Sequence, residues 1–375
     1  MKLNINNIFF YKCYIGILMI IYMLGSTSLS TFNESIVHDT LQYIALFFIV
    51  ACIFTSKFSL KKLAELLTLN IIGIICYISS GLSGILFTVL AITVLPKGKL
   101  EEILKYIFKV ELFLFICIII SSIVGIIPNL PMIVNKGSFT VQTFSYGFSH
   151  PNMLAAQATS LLFLYICINI EKLTKWHIFF SYVIIFLIFN FSKGRTSLIL
   201  GLVTVFLISL RKKDRVKSLV LKIIPYSYII VLLSLIVIFY LFNKYGENNE
   251  FIRIINDGVF NGRIGLAYRS LKVYPVTIFG KMIDLSYWNQ WQYFSLDNGQ
   301  VMLLLEYGIA GFLAYFWFIQ QTLNKLKLNK EVVLSIVMMA LLIWSMYEGT
   351  MYFIGKNFTL LFWASSEYGS IKKKR

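Results

Sequence analysis

Histidine is nearly absent, with three in 375 residues at His38, His150 and His177. Acids are also scarce, 17 against 34 Lys and Arg. There is no Walker A loop and no dinucleotide fingerprint. There is no nucleophile elbow and no helix carrying paired metal ligands. These absences argue against a nucleotide-driven enzyme and against a zinc enzyme, and neither a metal nor a cofactor is expected. The five cysteines, Cys13, Cys52, Cys76, Cys117 and Cys167, all fall inside apolar runs. Neither a disulfide framework nor a metal spacing can be drawn from them, and they read as small apolar residues in helices. No short-period repeat occurs.

What the chain has is apolar length. It is 58% hydrophobic and 14% charged, with mean hydropathy +0.78. About twelve spans of roughly 20 residues would use about 240 residues. The expectation is an all-α, polytopic integral membrane bundle, one domain over 1–375, with only short loops besides one long one. Spans are expected at 7–25, 40–55, 63–80, 82–96, 106–127, 152–170, 177–191, 196–210, 222–242, 299–320, 331–347 and 350–366, with Ser79-Ser80-Gly81 as a tight turn. The run 13–24 after Lys2 and Lys12 also has the form of a signal peptide; it is read as a retained first span.

Lys and Arg alternate between the gaps. Clusters sit at Lys2 with Lys12; Lys57 to Lys62; Lys97 to Lys109; Lys172 with Lys175; Arg211 to Lys222; Lys325 to Lys330; and Lys372 to Arg375. Cytoplasmic loops retain such cations and translocated loops lose them. This places 24 of the 34 inside and ten outside: Lys136, Lys193, Arg195, Lys244, Arg253, Arg263, Arg269, Lys272, Lys281 and Lys356. The location is the cytoplasmic membrane, with both termini inside and one large outward loop at about 243–297. The net charge of +17 is then mostly topology, and no nucleic-acid partner is implied.

The outward positions carry the candidate chemistry. Arg195, in Ser192-Lys193-Gly194-Arg195-Thr196, reads as a snorkelling interfacial cation or, with Lys193, as an anion clamp at a helix start. In the loop, Ile264, Ala267, Leu271 and Tyr274 form one stripe of a helix, with Arg269 and Lys272 on the other side and Pro275 at its end. Arg263, Arg269, Lys272 and Lys281 fall between 258 and 283, where there is no acid. They form either a solvated face or a phosphate site. Asp297 is either a helix N-cap or a general base able to act on a sugar hydroxyl. Glu306, nine residues further in, should be paired, protonated or functional at that depth. His150, before Pro151, either caps a span or donates to a phosphate.

The run Asp297-Asn298-Gly299-Gln300, followed by Leu303 to Gly311, resembles the O-antigen ligase and polymerase superfamily. In the ligases a His precedes Asn, Ser or Gln; after nine intervening residues comes Gly, and after two more intervening residues Gly, Thr or Tyr. Asn298, Gly308 and Gly311 fit that spacing, while Asp297 stands in place of the His. That departure points to the Wzy-type polysaccharide polymerases. Arg269 and Gly280 match a second motif of that branch, Arg with Gly eleven positions on; Arg195 does not, since Phe206 stands at the Gly position. His150-Pro151-Asn152 and Ser192 to Thr196 are also similar to blocks of the family.

The resemblance implies transfer of a growing glycan from undecaprenyl diphosphate to a lipid-linked repeat unit, in capsule, exopolysaccharide or O-antigen synthesis. It implies Arg195, Arg269 and Asp297 as catalytic residues and His150, Asn152, Lys193, Arg263, Lys272 and Asn298 as substrate-binding residues. The expected partners are the undecaprenyl-diphosphate-linked oligosaccharide, membrane lipid, and a chain-length regulator and flippase of the same pathway. The alternatives are a ligase of the same superfamily and a lipid-linked oligosaccharide flippase or other transporter. A flippase should carry charges along a cavity within its spans.

Overall fold

The computed structural model describes residues 3–29, 31–129, 131–135, 140–284, 296–349 and 351–367. Lys2, Lys136 and the run Lys372 to Arg375 lie outside the described residues, as do residues 285–295 of the long loop. In chain order the elements are α1 (Leu3–Gly25), α2 (Ile36–Thr55), α3 (Leu60–Ser80), α4 (Gly84–Val94), α5 (Leu100–Ile123), the strands β1 (Pro131–Asn135) and β2 (Thr140–Phe144), α6 (Pro151–Ile168), α7 (Lys175–Ser192), α8 (Arg195–Ser209), α9 (Asp214–Ile223), α10 (Ser227–Tyr245), α11 (Glu250–Arg253), α12 (Arg263–Val273), α13 (Gly299–Glu306), α14 (Gly308–Leu328) and α15 (Val332–Trp344). A 3-10 helix, Phe358–Glu367, follows. Among the described residues, six helical stretches are long and apolar enough to cross a membrane: Asn7–Gly25, Ile36–Thr55, Leu60–Ser80, Pro151–Ile168, Lys175–Ser192 and Asp214–Tyr245. Three shorter helices, α4, α8 and α15, are predominantly apolar.

The chain divides into two compact units. The first comprises Met1–Lys57, Val94–Lys217 and Glu367–Arg375. In it α1 packs along α2 and α5, and Lys12 bonds Glu102 across the α1–α5 contact at 2.7 Å. Glu101 and Glu102 occupy the first turn of α5, where the helix dipole favours negative charge. After α5 the chain forms an antiparallel hairpin, Pro131 opposite Phe144 and Asn135 opposite Thr140, which adds a small sheet to the expected all-helical fold. Ile133, Val134, Thr140, Val141 and Thr143 are β-branched, which favours the pleated form. α6 is buried on nearly every side and packs against α5, α7 and α8.

The second unit comprises Phe58–Thr93 and Ser218–Ser366. One stripe of α3 is buried, Leu66, Leu69, Asn70, Gly73, Cys76 and Ser80, the spacing of one helix face. Gly81 ends that helix in the left-handed conformation, φ +74°, as the Ser-Ser-Gly turn predicts. α15 is buried almost all round. Val231, Leu235 and Phe242 of α10 form a core with Ile264 and Tyr268 of α12. α12 is the helix predicted in the loop: Ile264 and Ala267 are buried while Arg269 and Lys272 are exposed. Pro275, lacking an N–H, lies just past its end.

Two of the expected spans are not continuous α-helices. The tenth is broken into α13 and α14 at Gly308, φ +71°. The cause is the segment 277–281, which crosses the break. The amides of Ile309 and Ala310 donate to Thr277 and Ile278 carbonyls at 3.0 and 2.8 Å, and Lys281 N–H donates to Leu305 O at 3.2 Å. The twelfth, 350–366, is not one α-helix. Its described residues form turns and the 3-10 helix. Gly349, Gly355 and Asn357 are poor helix formers, and Asn357 bonds Met351 O at 2.8 Å instead.

Gly81 and Gly308 both have positive φ, but their surroundings differ. A Cβ on Gly81 meets nothing, whereas one on Gly308 collides with Gly280 N and Ile278 O. Gly81→Ala should cost about 1 kcal/mol from its left-handed backbone alone. Gly308→Ala should cost several times more, seen as loss of monodisperse protein on size-exclusion chromatography after mild heating.

Candidate functional site

The second unit holds a group of four charges that links distant parts of the chain. α12 begins after Gly262, whose φ is +80°, so the chain reverses and Arg263 enters the helix with its side chain only 14% exposed. Its Nε lies 3.2 Å from Asp297 Oδ2. Its Nη1 lies 3.2 Å from Glu348 Oε1 and also donates to the carbonyl of Tyr347. One guanidinium thus joins α12, the lead into α13 and the turn after α15. Glu348 is 11% exposed and Asp297 29%, so Asp297 is the carboxylate a solute can reach. Lys356 is buried, and its charge acts on both Glu348 and Asp297. Burial pushes the Glu348 carboxyl up, against the pull of Arg263 and Lys356. The group is balanced, two cations with two carboxylates.

The residues after Asp297 fix its position. Asn298 is fully buried and is the N-cap of α13: its Oδ1 accepts from Gln300 and Val301 amides at 3.1 and 3.0 Å. Its Nδ2 donates to Met346 O at 3.1 Å. The capping role considered for Asp297 therefore belongs to its neighbour. Gly299 N–H donates to Ser345 O at 2.8 Å, and a Cβ there would lie 2.9 Å from Glu348 O. Gln300 Nε2 donates to Ser345 Oγ, and Tyr228 OH to Gln300 Oε1, each at 2.6 Å. At the far end of α13, Tyr352 OH donates to Glu306 Oε2 at 2.7 Å, so the deep carboxylate is paired. The motif glycines Gly280 and Gly308 meet backbone to backbone at the break.

The other candidates stand elsewhere. Arg269, 44% exposed, pairs with Glu247, Nε to Oε2 at 2.8 Å, and that hydrogen bond raises its pKa. Lys272 lies 4.3 Å from the centre of the Tyr268 ring. Arg263, Asp297 and Asn298 are brought together, but Arg269 and Lys272 are not joined to them.

His150, Asn152, Lys193 and Arg195 belong to the first unit. His150 caps α6, with Nδ1 accepting from Asn152 N–H at 3.0 Å. Lys193 ends α7 at φ +54° and donates to Asn190 Oδ1 at 3.0 Å. Arg195 opens α8, is exposed, and makes no ion pair among the described residues. Sequence reasoning missed Glu348 as a site residue and took Lys356 only as an outward cation. The available signal was two opposite charges inside one apolar stretch, where each needs a partner.

No protein-family model matches this chain, and neither a curated protein nor a solved structure matches it.

Asn298 tests the geometry apart from chemistry. Asn298→Ala removes a cap and strands the Met346 carbonyl, a loss of about 2 kcal/mol. Asn298→Asp keeps the cap acceptor but buries a charge and loses the donor, so it should be at least as damaging in a thermal-stability assay.

Proposed function

We propose that the chain is an integral membrane polysaccharide polymerase of about twelve spans. It transfers a growing glycan from undecaprenyl diphosphate to a lipid-linked repeat unit at the outer face of the cytoplasmic membrane. The observation that carries this reading is the partly exposed Asp297 carboxylate, held by Arg263 at the start of a buried helix and preceding Asn298 in the polymerase-like motif. In the reaction, the acceptor hydroxyl oxygen bonds to the donor's anomeric carbon as the bond from that carbon to the diphosphate oxygen breaks. The hydroxyl proton passes to Asp297, and the lipid diphosphate leaves with the bonding pair. The leaving group's charge needs cations, for which Arg269 and Arg195 are assigned, while Arg263 positions the base.

A second reading, a transporter of lipid-linked oligosaccharide, is favoured by one observation: Glu306, Glu348 and Lys356 are buried within the apolar second unit. One variant separates the two. Asp297→Asn keeps a side-chain acceptor but cannot take a proton. It should insert normally and lose polymer by at least roughly 100-fold, with single lipid-linked units accumulating at the outer face. Units trapped at the inner face would favour the transporter, and normal polymer would remove Asp297 from catalysis. Reporters fused near 135 and 255 should lie outside, and those near 60, 100, 215, 328 and 373 inside; an inside signal at 255 would rule out the arrangement.

A further inference from the structure

The segment that joins α8 to α10, residues 210–226, takes no part in the proposed reaction. α8 ends at Ser209 and α10 begins at Ser227, and both are predominantly apolar. The stretch Asp214–Tyr245 has 32 residues, about 48 Å at the helical rise. A hydrocarbon core is only about 30 Å thick. α10 alone, with 19 residues, measures about 28 Å and matches that core. The ten residues of α9 therefore continue past it. Tyr226, just before α10, is 57% exposed, and tyrosine is enriched at the level of the headgroups.

Between 211 and 222 there are six Lys and Arg and one acid. Arg211 is used by the fold: its Nη1 donates to Ile208 O at 3.1 Å and its Nη2 to Leu173 O at 2.8 Å. The other five, Lys212, Lys213, Arg215, Lys217 and Lys222, are exposed and make no ion pair among the described residues. The cations around the start of α5 differ, since Lys12, Lys99 and Lys105 each hold Glu101 or Glu102. A cytoplasmic location explains why cations are kept here. It does not explain their lack of acids or their place on the helix. Arg215, Leu219 and Lys222 follow at i, i+4 and i+7, one row of an α-helix. Leu219, between the two cations, is 55% exposed, and Ile223, one turn on, is 38% exposed. Val220 is buried and takes the protein side.

We propose that α9 is a binding surface for anionic phospholipid, with Arg215 and Lys222 at the headgroup phosphates and Leu219 and Ile223 in the acyl boundary. A soluble polyanion would pair with the cations but leave both apolar side chains in water. An anionic leaflet takes both, because long cations reach the headgroups from beside apolar side chains that enter the lipid. By the alternation of Lys and Arg, the leaflet is the inner one. The proposal requires α8 and α10 to cross a membrane and does not depend on the polymerase reading.

The test uses the full chain, stripped of lipid in a neutral detergent and titrated with phosphatidylglycerol, with bound lipid read by native mass spectrometry. Phosphatidylcholine with the same acyl chains is the reference and should bind more weakly. The double variant Arg215→Gln/Lys222→Gln should weaken phosphatidylglycerol binding about 25-fold, roughly fivefold for each cation at an anionic surface. Leu219→Gln keeps every charge and sits at an exposed position, so it guards against a folding failure of the double variant; it should weaken binding several-fold. Lys327→Gln/Lys330→Gln removes two exposed cations at the end of α14 and should leave the affinity unchanged. Equal loss in the two double variants would reduce the effect to net charge and overturn the site. Unchanged binding in both Arg215→Gln/Lys222→Gln and Leu219→Gln would also overturn it. Glycerol phosphate competing as well as phosphatidylglycerol would replace the lipid surface with a general anion patch. Asp297→Asn should bind phosphatidylglycerol as the unaltered chain does, so that loss of polymer and loss of lipid are read apart.

Discussion

The second unit depends on one guanidinium. Arg263 reaches two carboxylates and a carbonyl that lie 34 to 85 positions away in the chain. Charges inside an apolar body are tolerated only when paired. Removing Arg263 would leave Glu348 buried with Lys356 as its one strong counter-charge, and breaking a buried pair from one side costs about 3–5 kcal/mol. The same bonds aim Asp297. Its side chain is held by Nε and is 29% exposed, so fold stability and the orientation of Asp297 have a common cause.

The break between α13 and α14 answers a second constraint. In an apolar surrounding every backbone polar group must be satisfied within the protein. A helix can stop there only if another segment takes over its bonds. Residues 277–281 do so by pairing with residues 305–310. Ser79 Oγ donates to Gly280 O at 2.7 Å, and Cys76 Sγ to Tyr307 O at 3.3 Å. Both donors come from α3, Cys76 from its buried stripe and Ser79 from an exposed position at its end. The segment that leaves α12 is thereby tied to the helix that Asp297 opens.

Local signals were legible in the residues. Gly81 at a tight turn, the α12 stripe ending before Pro275 and a helix starting at Asp297-Asn298-Gly299 each follow from spacing and backbone preference. What escaped was set by distant partners. Gly308 and Gly280 read as motif positions, but their use as a backbone crossing needs both segments together. The stretch 350–366 is apolar enough for a span, yet Gly355 and Asn357 make it irregular, and hydropathy alone does not register that. Glu348 carries no motif; only its meeting with Arg263 gives it a role. Likewise, Asp297 and Asn298 could each cap on sequence grounds, and the hydrogen bonds to Gln300 and Val301 assign that task to Asn298.

Counting outward cations treats the arginines alike, but their neighbours divide them. Arg269 is held by Glu247 at an exposed position, and such a pair contributes about 0–1 kcal/mol. An arriving diphosphate can displace that carboxylate at little cost. Arg195 has no ion pair among the described residues to exchange. Arg263 would have to abandon two partly buried carboxylates, at the several-kcal/mol scale of a broken buried pair. Under the proposed reaction, Arg269 is therefore the cation of the second unit that can be given over to the leaving diphosphate. Arg263 stays with the protein and keeps Asp297 in place while charge develops elsewhere. Arg and Lys have different geometry at such a pair, so a lysine at position 263 would keep the charge but could not span both carboxylates and the Tyr347 carbonyl at once.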